Sequence, residues 1–346
     1  DLSWEKNQMI NAGIDLQMFD GYIGFSVDYY NTNTSNMLLY VPVPLLTGYS
    51  TSLQNLGKVN NRGWELALTS QHTFANGFGY SFNANYAKNT NEVKELGPGN
   101  APIISSGSVG HAYYITEVGK PIGNYYLLVQ DGIFATEEDL KKYPHFDNTE
   151  VGDFRFVDVD GDGKLDLDKD RTICGNYMPK FTYGFGGKLW YAGFDMDFNF
   201  QGVYGNKILN LNKRYLDNME GNTNGTKIAL DRWKSPENPG SGSVNKANRK
   251  QTGYNSRTST WHLESGSYLR LQNLSLGYTL PRALTQKFKV EKMRVYVSGQ
   301  NLFTITNYSG YNPEVNARPS KNLTPGEDYG TYPLARTYMF GLNLTL

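Results

Sequence analysis

The chain has 346 residues, 33 of them basic and 33 acidic, so its net charge is zero and it offers no basic field for nucleic acid. Its single cysteine, Cys174, excludes an internal disulfide framework and a multi-cysteine metal site, and its four histidines lack the spacing of a zinc site. The 26 tyrosines and 37 glycines favour glycine-punctuated strands over helices, and no apolar run is long enough for a membrane helix.

Strands in which apolar and polar side chains alternate dominate the predicted secondary structure. In FDMDFNFQ (194–201), phenylalanine and methionine occupy every second position, and aspartate, asparagine and glutamine lie between them. This period of two is the pattern of a β-strand, and about ten such strands of barrel length are predicted. In chain order the clearest segments are NAGIDLQM (11–18), YIGFSVDY (22–29), GWELALTS (63–70), FGYSFNANY (78–86), FTYGFGGKLWY (181–191), FDMDFNFQ, LQNLSLGYTL (271–280), KMRVYVSGQNLF (292–303) and TYMFGLNLTL (337–346).

The two faces of these strands differ in a way that favours a membrane barrel over a soluble sandwich. One face is large and aromatic, with rings near the strand ends, as in the interfacial girdle of an outer-membrane barrel. The other face carries Gly, Ser, Asn, Asp and Gln, which suits a water-filled lumen. Alternation alone also fits a β-sandwich whose two aromatic faces pack on each other.

The connections between strands are alternately short and long. Tight Asp-Gly, Asn-Gly or Ala-Gly turns are predicted at 18–22, 74–78 and 191–194. The other connections are predicted at 88–122, 131–180, 207–266 and 304–335. Connections of such length are uncommon in a compact soluble domain and typical of outer-membrane barrels. Within them, TEEDLKK (136–142) predicts a helical turn capped by Thr136, and TKIALDRWK (226–234) predicts a second short helix.

An acidic segment, FVDVDGDGKLD (156–166), has the spacing of a calcium loop. Counted from Asp158, carboxylates occupy positions 1, 3, 5 and 9 and a glycine occupies position 6, as such a loop requires. Position 12, which normally supplies the closing carboxylate, is Lys169, and acidic residues flank it. We expect a structural Ca²⁺ that pins a long loop, with a solvated acidic hairpin as the alternative. The predicted ligands are Asp158, Asp160, Asp162, the main-chain carbonyl of Lys164, Asp166 and Asp170.

Nine ordered phrases together resemble one known family over nearly the whole chain. Among them are LSWEKNQMINAGIDLQMFDGYIGFSVDYYN, NLGKVNNRGWELAL, VGKPIGNYYLLVQDGIFATEED, FVDVDGDGKLD, SGSYLRLQNLSLGYTLP, VYVSGQNLFTITNYSGYNPEV and YPLARTYMFGLNLTL. They are similar to the C-terminal part of SusC/RagA-like TonB-dependent transporters of the Bacteroidetes outer membrane.

The resemblance implies an all-β fold, a transmembrane antiparallel barrel of about 22 strands of which residues 1–346 supply the C-terminal part with long extracellular loops. The family has an N-terminal plug and first barrel strands, and we expect these to lie outside this chain. It further implies import of oligosaccharides, or alternatively peptides, driven by the TonB complex through the plug. A SusD-like lipoprotein lid and outer-membrane lipid are the implied partners, and no nucleic acid or organic cofactor is expected.

Residues that contact substrate are not singled out by any motif. The candidates lie in predicted loops or the lumen, and they are Trp233, Trp261, Tyr311 and Asn312, with His262 and Tyr329 beside them. Of these, Trp233 fits a structural anchor better. No order of nucleophile, base and acid indicates catalysis, so an enzyme is not expected. Two rivals of other classes are a soluble calcium-stabilised carbohydrate-binding β protein and a surface glycosidase, and a passive porin is a third.

Overall fold

A computed structural model describes residues 3–42, 46, 48–49, 51–109, 111–250 and 253–346. Strands account for most of the regular structure. In chain order they are β1 (Lys6–Met18), β2 (Ile23–Pro42), β3 (Thr51–Thr73), β4 (Gly79–Glu95), β5 (Ile103–Ser106), β6 (Tyr113–Thr116), β7 (Asn124–Leu128), β8 (Gln130–Ile133), β9 (Phe154–Phe156), β10 (Arg171–Asn176), β11 (Phe181–Tyr191), β12 (Phe194–Tyr204), β13 (Lys207–Asn210), β14 (Leu263–Ser265), β15 (Tyr268–Thr279), β16 (Lys292–Thr306), β17 (Glu327–Asp328) and β18 (Thr337–Thr345).

Helices are few and short. The α-helices are α1 (Glu137–Lys142), α2 (Lys213–Leu216) and α3 (Arg282–Thr285), and 3₁₀ turns lie at Pro98–Asn100, Lys227–Asp231, Thr260–His262 and Gln286–Phe288. The predicted cap of α1 is confirmed, because Thr136 and Asp139 exchange hydrogen bonds as a capping box. In the part of the chain that the structure describes, no helix combines the length and apolar character that crossing a membrane requires.

Nine strands form one antiparallel sheet, which we call the wall. Their order is β1-β2-β3-β4-β11-β12-β15-β16-β18, so every wall strand pairs with its neighbours in chain order. Each of the nine alternating segments read from the sequence falls in one of these strands. The fold-class prediction of a large antiparallel sheet is therefore confirmed, with nine wall strands among the described residues against about ten expected.

Cross-strand register separates the wall into an apolar and a polar face. Leu189, Met196, Leu276, Val297 and Phe340 follow one another across five strands and form a continuous apolar row. The adjacent row runs through Lys188, Asp197, Ser275 and Ser298 on the opposite face. Large side chains on the apolar face remain exposed, with Phe340 at 86% and Phe194 at 64%. An exposed apolar band of this extent is the lipid-facing surface of a membrane barrel.

The long connections are ordered, and we call them together the loop layer (the described residues of 96–180, 205–267 and 307–336). They contain a sheet of order β10-β7-β6-β5, a second of order β14-β13-β17 and the β8-β9 hairpin. The first predicted connection begins later than expected, because β4 continues to Glu95 where Val93 joins an apolar cluster with Val59 and Ile103. The tight turns predicted at 18–22, 74–78 and 191–194 are confirmed, so the loop layer lies at one end of the wall.

Buried apolar side chains concentrate in the loop layer. Tyr114, Tyr125, Leu127, Leu209 and Leu211 are completely buried in one cluster that joins the two small sheets. The wall cannot form such a core because its two faces meet lipid and lumen. The loop layer is therefore the rigid part of this chain on which functional side chains can be held.

Candidate functional site

Glu264 on β14 ties together the loops that follow β12 and β16. Its Oε1 accepts hydrogen bonds from Asn210 Nδ2 at 3.2 Å and Ser309 Oγ at 2.8 Å, and its Oε2 accepts one from Ser309 N at 2.8 Å. Lys213 Nζ lies 3.5 Å from Oε1 in a largely buried ion pair. A single carboxylate thus fixes three loop segments relative to one another. Sequence reasoning missed Glu264, because nothing local marks its role.

Glu327 on β17 is a second buried anchor. It is completely buried and accepts hydrogen bonds from Ser108 N at 3.0 Å and from Tyr114 OH at 3.1 Å. Burial, the neighbouring Tyr125 and the Glu327 carboxylate raise the pKa of the Tyr114 hydroxyl, which therefore stays a donor. The loop that precedes β6 is fastened in this way to the loop that precedes β18.

Four exposed tyrosines gather on this framework. Tyr311 is 81% exposed and Tyr332 is 90% exposed, and both line one pocket of the loop layer. Beside it, the hydroxyls of Tyr215 and Tyr329 lie 3.3 Å apart and their ring centroids 6.1 Å apart. Exposed aromatic rings on a rigid support are typical of ligand-binding surfaces. Of the four, Tyr311 and Tyr329 were sequence-based candidates for substrate contact, and Tyr215 and Tyr332 were not.

Asn312, also predicted to contact substrate, lies under the surface and holds its neighbour in place. Its side chain is 9% exposed, and its Oδ1 accepts hydrogen bonds from Arg270 Nη2 at 2.8 Å and from Glu314 N at 3.1 Å. Arg270 also pairs with Glu314 and donates from Nε to Thr304 Oγ1 at 2.9 Å. This network fixes the backbone on which Tyr311 projects outward.

The two tryptophan candidates take part in packing. Trp233 packs against the buried cluster of Phe146 and Phe154, and its Nε1 donates to the carbonyl oxygen of Ala135 at 3.3 Å. This placement supports the structural-anchor interpretation of Trp233. Trp261 packs on the same cluster with its ring 5.1 Å from that of Phe154, and Lys213 Nζ lies 4.2 Å from its centroid. The structure therefore separates both tryptophans from the pocket beside Tyr311.

The acidic loop between β9 and β10 brings three predicted ligands together. One carboxylate oxygen from each of Asp158, Asp160 and Asp162 lies within 4.8 Å of the others. Main-chain amides orient them: Asp158 accepts from Gly161 N at 2.7 Å and from Gly163 N at 2.8 Å. Three converging carboxylates with free oxygen lone pairs suit a hard cation such as Ca²⁺. Lys169 Nζ lies 3.7 Å from Asp162 Oδ2 and offsets part of the negative charge of the three carboxylates.

Asp170 closes this loop through main-chain contacts. Its completely buried carboxylate accepts hydrogen bonds from Val159 N at 2.8 Å and from Asp166 N at 2.6 Å. The two ends of the acidic loop are thus held together, and Asp170 lies outside the group of three. Asp166 in turn accepts from Asp168 N at 2.6 Å, and the Asp168 and Lys169 amides together lower the pKa of the Asp166 carboxyl.

His262 is a completely buried titratable group of the loop layer. Its Nδ1 accepts a hydrogen bond from Ser259 N at 3.2 Å, and its Nε2 has no partner among the described residues. Burial, with help from the charges of Lys213 and Arg214, lowers the pKa of His262 to about 3. The imidazole is therefore neutral at physiological pH and acts as a structural group.

Cys174 on β10 has the environment of a packing residue. It lies against the buried cluster that contains Tyr114 and Tyr125. Burial raises the pKa of its thiol to about 11, so the nucleophilic thiolate is scarce at neutral pH. The structure therefore gives Cys174 a packing role.

Comparisons with known proteins agree with this architecture. The sequence model of the family described as TonB dependent receptor-like, beta-barrel matches residues 1–302. TonB-dependent receptor P3 of Formosa agariphila is 34% identical over 99% of this chain and 34% of its own length. TonB-dependent receptor SusC of Bacteroides thetaiotaomicron is 27% identical over 99% of this chain and 32% of its own. The chain thus spans about a third of the length of the curated relatives it matches.

Solved structures show the same fold. The structure described as the RagAB peptide transporter superposes with a TM-score of 0.79 and 26% identity over 99% of this chain and 36% of that one. The RagAB peptide importer in its 'open-open' state gives the same TM-score over 100% of this chain and 35% of that one. These relatives are receptors and transporters, and the apolar band of the wall fits the outer membrane in which the family resides. The chain therefore belongs to the TonB dependent receptor-like β-barrel family and is an outer-membrane protein.

Proposed function

We propose that the full-length protein imports a nutrient oligomer across the outer membrane, energised by TonB acting on a plug inside the barrel. The observation that carries this proposal is the match of the whole chain to RagAB structures, at a TM-score of 0.79. The residues described here would supply wall strands, the lipid-facing band and the rigid loop layer. The edge strands β1 and β18 would pair with further barrel strands, since an open sheet edge in lipid leaves backbone groups unsatisfied.

Oligosaccharide is the cargo we favour. The polar face of the wall carries Asn, Asp and Ser, and the loop layer presents exposed tyrosines, both of which suit sugar hydroxyls and sugar rings. Peptide is the second candidate, because the RagAB relatives are described as a peptide transporter and a peptide importer.

A SusD-like lipoprotein is the proposed partner at the loop end of the barrel. The loop layer would be its docking platform, and closure of this lid would hold cargo against the loops before TonB opens a path. The ordered small sheets β10-β7-β6-β5 and β14-β13-β17 support a docking role, since a rigid surface loses little entropy on binding.

We further propose that the acidic loop binds a structural Ca²⁺. Asp158, Asp160 and Asp162 would supply carboxylate oxygens, and the Lys164 carbonyl and Asp166 would complete the set. Asp170 remains only a predicted ligand. In the structure its carboxylate holds the two ends of the loop together. The role would be to stiffen the loop between β9 and β10, because no pair of long helices is present among the described residues to act as a sensor.

Deletion of the gene in the producing bacterium tests the transport function. Growth on oligosaccharide mixtures and on peptide mixtures would be compared with and without the full-length gene, and uptake would be measured with and without a protonophore. We expect the deletion to abolish growth on one mixture together with protonophore-sensitive uptake of that mixture. Protonophore-insensitive uptake would instead indicate a passive porin. Native mass spectrometry of the detergent-extracted receptor tests the partner, and absence of a co-purifying lipoprotein would contradict the lid.

A further inference from the structure

A pocket of about 430 Å³ opens where the loop after β12 meets the loop after β16. One side of the pocket is formed by α2 and its flanks, including Asn212, Lys213 and Leu216. The other side is formed by segments 309–311 and 330–333. Asn210 at the end of β13 lies at its base. Tyr311 and Tyr332 line the opening with most of their surface exposed.

The lining of this pocket is held before any ligand arrives. Asn210 and Lys213 are bound to Glu264, and the Asn312 network holds the backbone beside Tyr311. Tyr308 OH donates to Asp328 Oδ2 at 2.5 Å. This hydrogen bond fixes the segment that begins the second side of the pocket to the strand that precedes Tyr329. A preorganised pocket of this kind binds without a further ordering cost.

The polar groups of the pocket favour a neutral polyhydroxy ligand. Lys213 is already paired with Glu264 at 3.5 Å. Asp217, which accepts a hydrogen bond from Thr226 Oγ1 at 2.5 Å, keeps its negative charge and disfavours an anionic ligand. Asn212 precedes α2 without capping it through its side chain, which leaves its amide free to turn toward the pocket. Amide and hydroxyl groups can both donate to and accept from sugar hydroxyls.

The backbone at the base of the pocket is unsuited to an extended peptide. β13 is the central strand of its sheet and pairs with β14 on one side and with β17 on the other. Its amide and carbonyl groups are therefore already paired, whereas peptide capture by strand addition needs a free edge. Exposed tyrosine faces can instead stack on the apolar C–H face of a pyranose ring.

We propose that this pocket binds a pyranose unit of a neutral oligosaccharide, with Tyr311 and Tyr332 as stacking platforms and the Asn212 amide as a hydrogen-bonding group. The inference rests on the proposed import function and names the cargo site within it. Tyr215 and Tyr329, joined through their hydroxyls, would extend the aromatic surface to a neighbouring sugar unit.

Isothermal titration calorimetry on the detergent-purified full-length receptor tests the site. The probes are linear hexaoses of glucose, xylose and mannose, with a tryptic peptide mixture as the competing class. Tyr311→Ala and Tyr332→Ala should each weaken hexaose binding by about two- to tenfold, the range for one aromatic stacking contact. Tyr311→Phe keeps the ring and should bind like the unaltered receptor. Tyr40→Ala, at a tyrosine 63% exposed on β2, is the matched control and should have no effect.

Each remaining outcome overturns the inference in a distinguishable way. Hexaose binding that is unchanged in both alanine variants would move the sugar site elsewhere while leaving the import function intact. Binding of the peptide mixture alone, or of neither class, would remove the saccharide assignment. Loss of lipoprotein co-purification without loss of hexaose binding would make the tyrosines a docking surface for the lid. The transport function itself is judged separately, by the growth and protonophore measurements.

Discussion

Arg294 on β16 reaches across the intervening strand β15 to form a forked ion pair with Asp195 on β12. Arg294 Nε lies 2.8 Å from Asp195 Oδ1, and Nη2 pairs with the other carboxylate oxygen. The path is open because the residue between them on β15 is Gly277, where an added Cβ would lie 2.3 Å from Arg294 Nη2. The ion pair of Arg294 and Asp195 therefore links three wall strands on the polar face, and Gly277 leaves room for it.

Gly277→Ala should destabilise the barrel by about 1–3 kcal/mol, because the new methyl group displaces the Arg294 guanidinium. The measurement is the temperature at which the full-length receptor loses its folded, fast-migrating band in SDS gels. The same substitution in an Arg294→Ala background is the control, since the side chain it would collide with is then gone. An equal cost in both backgrounds would show that Gly277 matters for another reason.

Arg270→Lys should loosen the loop that carries Tyr311 while leaving the wall folded. Lysine has a single ammonium group and cannot serve Glu314, Asn312 and Thr304 together. Leaving the buried Asn312 oxygen short of a donor should cost about 1–3 kcal/mol locally. Limited proteolysis between residues 307 and 316 is the measurement, with mass spectrometry to locate the cuts. Arg249→Lys, at an exposed contact to Asn222, is the matched control, and equal cleavage in the two variants would contradict the network's role.

Removal of Ca²⁺ with a chelator should speed proteolysis within residues 158–170, and added Ca²⁺ should restore protection. Asp158→Asn and Asp162→Asn should abolish the Ca²⁺ effect, since each removes a charged ligand from the group of three. Asp168→Asn is the control in the same loop, because its side chain is 91% exposed and pairs with Arg171. Cleavage rates that do not respond to Ca²⁺ in the unaltered receptor would leave the loop a solvated acidic hairpin.

Acid should destabilise the loop layer through His262. The unfolded imidazole has a pKa of about 6.5, and burial lowers the folded value to about 3. Between these values the unfolded state binds the extra proton, so stability should fall by about 1.4 kcal/mol for each pH unit below 6.5. Protease resistance of the loop layer at pH 7.5 and pH 5 measures the effect.

His262→Phe should flatten this pH dependence, because no imidazole remains to be charged. His72→Phe is the control, since His72 lies at a wall turn with its ring packed edge-on against Tyr22 and Phe74. An undiminished acid effect in His262→Phe would assign it to another group. The variants would first be compared at pH 7.5 to confirm that both retain the folded loop layer.

The wall could be predicted from the sequence because its information is local. A period of two in segments such as 194–201 predicts both the strand and the face of each side chain. Short turns predict the antiparallel pairing of the hairpins. The cap at Thr136 and the carboxylate spacing from Asp158 are also patterns within a dozen residues. These features required no knowledge of which distant residues meet.

The gathering of the four exposed tyrosines could not be predicted because they are far apart in the chain. Tyr215 and Tyr329 are separated by 114 positions, and no periodicity connects them. Glu264 and Glu327 lie in polar loop sequences that are typical of exposed residues. Contacts with remote segments nevertheless cover most of the Glu264 side chain and bury Glu327 completely. The placement of Asn312 beneath Tyr311 shows the same effect, because burial there is decided by Arg270 on a separate strand.

The anchoring of Ser108 by Glu327, across 219 positions, also sets an order of assembly. Wall strands joined by tight turns, such as β1 and β2 or β11 and β12, can pair as soon as each hairpin is made. The loop layer needs β17, near the end of the described chain, before its first sheet is fastened. Contacts of such sequence separation are slow to form. A receptor caught midway through membrane insertion would therefore present paired wall hairpins beneath a loop layer that is still open and sensitive to protease.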